Sequence, residues 1–142
     1  MSETEPFADG EPTLPSTAMT SAAQAQVLVV EDDPEIREFV TMVLEGEGYG
    51  VRGAENGQVA LEQTETGAVD LILLDMRMPV LDGWGFVRQY RERTAQPVPI
   101  VVMTAAPDAR ARAAEVAATA YLAKPFDLHE LLETVAAQLQ AA

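Results

Sequence analysis

Four short stretches carry the residues of this chain whose types could do chemistry. They are Glu31-Asp32-Asp33, Asp75, Thr104 and Lys124-Pro125, and each follows directly on an apolar run. Each alone has a plain reading. An Asp after a strand caps the next helix, Thr104 caps the next turn, and a lone Lys is a solvated charge. In adjacent loops on one edge of a sheet they read differently. Clustered carboxylates repel, and each has a raised pKa unless a cation joins them. Oxygen donors without His or Cys suit Mg²⁺, which keeps part of its water shell. A carboxylate beside Mg²⁺ can attack a phosphoryl group and form an acyl phosphate. The developing charge then needs the metal on one side, and a hydroxyl and an ammonium on the other. Thr104 and Lys124 supply those groups. Lys124 is the only lysine, against eight arginines, as expected where a compact ammonium is required. Neither GxxxxGK[ST] nor GxGxxG follows the first strand, so a nucleotide-phosphate loop has no support.

The elements that must position these residues are legible in the apolar pattern. Val27-Leu28-Val29-Val30 reads as a strand buried on both faces. Asp33 caps the following helix and Pro34 suits its first turn. Ile36, Phe39, Val40, Val43 and Leu44 form its apolar stripe, and Gly46 and Gly48 end it. Residues 49–54 form a weak strand holding polar Arg52, which suits a sheet edge, and 56–65 form a second helix. Leu71-Ile72-Leu73-Leu74 lies in another doubly buried strand, 69–75. The loop Met78-Pro79-Val80-Leu81-Asp82-Gly83 leads to a helix over 84–93. A strand over 98–103, an alanine-rich helix over 108–118 and a short strand over 121–123 follow. Asp127 caps a last helix with Leu128, Leu131, Leu132, Val135 and Leu139 on one side.

Strands thus alternate with helices five times. The pattern implies a parallel sheet covered on both faces, with right-handed crossovers. Placing the two weaker strands at the edges gives the order 2-1-3-4-5, a flavodoxin-like (βα)5 doubly wound α/β fold. Ligands in such folds bind beyond the carboxyl ends of the strands, at the switch point between strands 1 and 3. The acidic triplet, Asp75, Thr104 and Lys124 all fall there.

Composition narrows the function. The 142 residues hold 9 Lys+Arg against 23 Asp+Glu, a net charge of -14. That opposes nucleic-acid binding and docking on an anionic membrane. Without cysteine there is no disulfide framework, thiolate metal site or Cys nucleophile. The single histidine, His129, excludes a multi-His metal site and reads as a surface residue. No apolar run reaches the roughly 20 residues that span a bilayer, and the start of the chain has no secretory pattern. A cytoplasmic protein is expected. Residues 1–25 have acids and prolines but no Lys or Arg, which reads as a disordered acidic tail before a folded domain over 26–142.

The motifs closely resemble the receiver domain of two-component response regulators. The matching pieces are Val29-Val30-Glu31-Asp32, Leu73 to Gly83, Met103-Thr104-Ala105, and Tyr121-Leu122-Ala123-Lys124-Pro125-Phe126. The resemblance implies that Asp75 is the phosphoacceptor. It implies that Asp32, Asp75 and the Arg77 backbone carbonyl bind Mg²⁺, with Glu31 acting mainly through water. Thr104 would hydrogen-bond the phosphoryl group, Lys124 would pair with it, and Ala105 would leave it room. Tyr121 would be the switch aromatic. Arg77 and Ala106 would flank the path of the hydrolytic water and tune the phosphoryl lifetime. A cis peptide at Lys124-Pro125 is also implied. The donor would be a histidine kinase or histidine phosphotransfer protein. A downstream protein partner would bind the face made by helix 4, strand 5 and helix 5.

Two features depart from the family pattern. Val116-Ala117-Ala118-Thr119-Ala120 lacks the Gly-Ala step usual before strand 5, and helix 4 offers mostly methyl groups. Arg110 and Arg112 read as a solvated face, and Trp84 as packing. With the chain ending at helix 5, a single-domain regulator is expected, signalling by partner binding or by relay. Two rivals weaken on inspection. An aspartyl-nucleophile phosphatase needs a second acid two residues after Asp75, where Arg77 stands. A flavin module of the same fold needs a Ser/Thr-rich loop where the acidic triplet lies.

Overall fold

A computed structural model describes residues 25–105 and 107–141 of the chain. The expected acidic tail, all but its last residue, and Ala106 lie outside the described residues. The strands are β1 (Gln26–Val30), β2 (Gly50–Ala54), β3 (Leu71–Asp75), β4 (Ile100–Ala105) and β5 (Ala120–Lys124). The helices are α1 (Pro34–Gly46), α2 (Gly57–Thr66), α3 (Gly83–Arg93), α4 (Ala109–Glu115) and α5 (Leu128–Ala141). All strand pairs are parallel, in the order β2-β1-β3-β4-β5, the expected topology.

Why the central strands are apolar between their ends follows from the two faces of the sheet. Leu28, Val30, Ile72, Leu74, Ile100 and Val102 pack with Ala60 and Leu61 of α2, Phe86 and Tyr90 of α3, and Ala113 of α4. Val27, Val29, Leu71, Leu73, Val101 and Met103 pack with Val40 and Leu44 of α1, and Leu131 and Val135 of α5. Successive residues of a strand point to opposite faces, so a strand covered on both sides has no polar position to spare. The two strands read as weaker are the edges. Arg52, inside β2, reaches Gln63 Oε1 at 2.9 Å and the Ala68 carbonyl at 3.1 Å.

The caps follow the sequence. Asp33 accepts from the backbone N–H groups of Glu35 and Ile36, and Asn56 accepts from Val59. Asp127 and Glu130 bond each other's backbone N–H, a reciprocal box at the start of α5. Phe39 departs from the expected stripe: it lies at the margin of the buried face of α1 and is 39% exposed.

Helix α4 is shorter than the 108–118 expected. Its end is a Schellman turn, with Ala117 N–H donating to the Ala114 carbonyl at 3.2 Å and Ala118 N–H to the Ala113 carbonyl at 2.9 Å. Ala117 has φ 53°, the left-handed conformation that glycine usually fills. Arg91 of α3 donates to the Val116 and Ala117 carbonyls at this turn. Arg112 corrects the expected solvated face. It pairs with Glu115 at 2.8 Å and lies over the Trp84 ring, whose Nε1–H donates to Glu115 at 2.9 Å. Trp84 packs on the core of this face, as expected.

Candidate functional site

Strand register gathers the expected residues. Val30 is level with Leu74, Asp75 with Met103, Thr104 with Ala123, and Ala105 with Lys124. The next residue of each central strand therefore emerges at the same carboxyl edge. Glu31 extends the pairing by one bond, its N–H donating to the Ala54 carbonyl at 2.9 Å. Among the described residues, the buried polar or charged ones are Glu31, Asp75 and Thr104. Burial of such groups is costly unless they are partnered, and all three sit at this edge.

Glu31, Asp32 and Asp75 each place a carboxylate oxygen within 4.8 Å of the others. Asp32 is exposed while the other two are buried. Lys124 Nζ lies 2.7 Å from Glu31 Oε1 and 3.7 Å from Asp75 Oδ2. The ammonium thus pairs most closely with Glu31 and stands next to Asp75. The second Glu31 oxygen accepts from Asp33 N–H at 3.1 Å. Asp75 Oδ1 faces the Arg77 backbone N–H at 3.4 Å. The Asp75 pKa is pushed up to about 7, first by burial and then by the negative charge of Glu31, with Lys124 opposing the rise. A cluster of hard oxygen donors under mutual repulsion fits a small divalent cation such as Mg²⁺.

The rim is more open. The Arg77 side chain is exposed, with no ion pair or hydrogen bond from its guanidinium among the described residues. Ala105 is exposed at the end of β4, and Tyr121 is 44% exposed on the edge strand. The Lys124-Pro125 peptide is cis, as the resemblance implied. The β3–α3 loop folds back on its strand through Gly83 N–H to the Met76 carbonyl at 2.9 Å. A Cβ at Gly83 would lie 2.7 Å from Met76 Cα, so only glycine allows this approach. Val80, at the tip of the loop, has φ 70°. His129 lies exposed on α5.

Two relations escaped sequence reading. One is the pairing of Lys124 with Glu31. The other is Arg37, whose Nη1–H donates to the Glu31 main-chain carbonyl at 2.7 Å. An arginine in the first turn after the acidic triplet was the available signal.

Comparison with known proteins agrees with this geometry. The family model for the response regulator receiver domain matches residues 27–136. The transcriptional regulatory protein ResD of Bacillus subtilis is 36% identical over 124 residues, covering 87% of this chain and 52% of ResD. Response regulator MprA of Mycobacterium ulcerans is 41% identical over 117 residues, covering 81% and 50%. The chain therefore spans about half the length of the curated relatives it matches. Among solved structures, chemotaxis protein CheY4 of Vibrio cholerae superposes with a TM-score of 0.74 at 34% identity, covering 81% of this chain and 98% of CheY4. The receiver domain of the sensor histidine kinase PA1611 of Pseudomonas aeruginosa, solved with a magnesium ion in its active-site cleft, gives 0.74 at 32% identity, covering 82% and 98%. With its fold, its acidic edge and a match over most of its length, this chain belongs to the response regulator receiver domain family.

Proposed function

We propose that this domain takes a phosphoryl group from a phosphohistidine onto Asp75 and changes its partner-binding face in response. The observation that carries the reading is the arrangement of Lys124 and three carboxylates. One ammonium touches Glu31 at 2.7 Å and stands 3.7 Å from Asp75, inside a cluster whose oxygens lie within 4.8 Å. Mg²⁺, held by Asp32, Asp75 and the Arg77 backbone carbonyl with Glu31 acting through water, would favour ionised Asp75 and offset phosphoryl charge.

In the transfer itself, an Asp75 oxygen attacks phosphorus and the P–N bond breaks. The imidazole of the donor, a histidine kinase or histidine phosphotransfer protein, keeps the electron pair. Lys124 is already at the site, held by Glu31, so it can meet a phosphoryl oxygen with little movement. The Thr104 hydroxyl, buried at the end of β4, donates to another oxygen. Ala105, with its small side chain, leaves the group room. As Thr104 is drawn toward the phosphoryl group, Tyr121 turns inward from its exposed position. That change would be read by a protein partner on the face of α4, β5 and α5, or the phosphoryl group would pass to a second histidine protein. A cytoplasmic setting, shared with that donor, goes with this reading.

Arg77 and Ala106 bear on the lifetime. Rapid hydrolysis needs a side chain that accepts a hydrogen bond from the attacking water and orients it. Arg has only donors and Ala has neither, so the acyl phosphate should be long-lived. The test of the function is intact mass after incubation with acetyl phosphate and Mg²⁺. The reading expects the mass of one added phosphoryl group in the wild type. An unmodified wild type under conditions where it binds Mg²⁺ contradicts it.

A further inference from the structure

We propose that Arg37 is a positioning residue for the acidic pair, fixing the Glu31–Asp32 peptide through the Glu31 carbonyl, and that Gly53 exists to let it pass. The inference rests on the reading of the acidic cluster as a Mg²⁺ site.

Strand β1 ends at Val30, and the chain must turn sharply so that two successive acids face different ways. Glu31 points inward, fully buried, while Asp32 is exposed. The side chain of Glu31 is tied by Lys124 and by Asp33 N–H, and its own N–H by Ala54. Its carbonyl begins the peptide that carries Asp32, and the donor that reaches it is Arg37, at 2.7 Å. Rotation of that peptide would swing the Asp32 Cα, and with it the carboxylate, away from Asp75. The hydrogen bond opposes that rotation.

The reach of Arg37 depends on β2. The arginine stem crosses Gly53, where an added Cβ would lie 3.2 Å from Cδ, 3.5 Å from Cγ and 3.7 Å from Nε. Gly53 has no positive φ, so its backbone does not call for glycine. What it offers is space under the stem. The guanidinium is then delivered from α1 across the edge of the sheet to the turn after β1. A partner one shell out from metal ligands typically controls affinity by about 10–100-fold.

The test is a double-mutant cycle read as Mg²⁺ affinity, by calorimetric titration of the full chain, with melting temperature in chelator reporting folding. The variants are Arg37→Ala, Gly53→Ala and the pair. Arg37→Ala should weaken Mg²⁺ binding by about tenfold. Gly53→Ala should weaken it in the wild-type background, by crowding the stem, and have little effect once Arg37 is removed. Amide resonances of Glu31 and Asp32 should shift alike in both single variants. A merely structural Arg37 predicts lower melting temperature with unchanged affinity and additive effects, and that result overturns the proposal. Unchanged affinity in the milder Gly53→Ala variant, with its Glu31 and Asp32 resonances unmoved, overturns the role of Gly53. A wild type that does not bind Mg²⁺ overturns the site reading and this inference with it. A wild type that binds while Arg37→Ala binds equally well overturns the inference alone.

Discussion

Replacing Ala117 by glycine should make the protein more stable, against the usual ranking of the two residues in helices. Ala117 sits one place past the cap residue of α4, with φ 53°. Its N–H and that of Ala118 bond back to Ala114 and Ala113, so the turn cannot relax without breaking those bonds. For an L-residue this conformation costs about 1–2 kcal/mol. Glycine removes that cost but adds freedom to the unfolded chain, about 0.4–1 kcal/mol in the other direction. The net gain should be about 0.5–1 kcal/mol. In a domain of this size that is a rise of roughly 2–6 °C in melting temperature. Arg91 holds the same turn through the Val116 and Ala117 carbonyls, so the fold of the loop is kept in the variant. The assay is equilibrium denaturation of wild type and Ala117→Gly, with equal m-values required. A stability loss with unchanged m would mean that Ala117 is not strained and that the helix end is misread.

The raised pKa of Asp75 makes stability fall as pH rises. The native carboxyl, with pKa about 7 against 3.8 for the ordinary group, holds its proton where the unfolded one has lost it. Stability from this group is fully present below about pH 4 and is lost progressively up to about pH 7. After solvent screening the loss should be on the order of 2 kcal/mol without Mg²⁺, and pH-dependent melts should show Asp75→Asn lacking that slope. Val80→Gly should stabilise by about 0.5–1 kcal/mol, because Val80 is 80% exposed and held at φ 70° in a strained γ-turn closed by Leu81 N–H to the Pro79 carbonyl at 2.8 Å; a lower denaturation midpoint would contradict this. The phosphoryl group should decay slowly, and the Arg77→Asn, Ala106→Glu double variant should lose it faster. Equal decay in the isolated phosphoproteins would show that these positions do not set the lifetime.

The strand order, the edge strands and the four site stretches were legible because each rests on a local signal. Runs such as Leu71 to Leu74 leave no exposed face, and the acids and Lys124 stand directly after such runs. What stayed hidden depends on contacts between distant residues or on conformations that the residue type does not announce. Alanine at 117 reads as a continuing helix, since Ala is the best helix former, yet it occupies a glycine-like turn. Arg112 and Glu115 look solvated until Trp84, some thirty positions away in the chain, reaches Glu115. The partner of Lys124 followed neither from charge nor from spacing, because three acids were available and only the packed site selects Glu31. Arg37 offered a position in the chain but no partner, because its acceptor is a main-chain carbonyl, which no residue type announces.

The residue that carries the phosphoryl group can be read directly. Treating the acetyl-phosphate-labelled protein with borohydride reduces an aspartyl phosphate to homoserine, which peptide mass spectrometry then locates. The expected result is homoserine at position 75 alone, dependent on Mg²⁺, and no label in Asp75→Asn. Homoserine at Asp32 or another Asp, 5-hydroxynorvaline at Glu31 or another Glu, or a label that persists in Asp75→Asn would contradict the central claim.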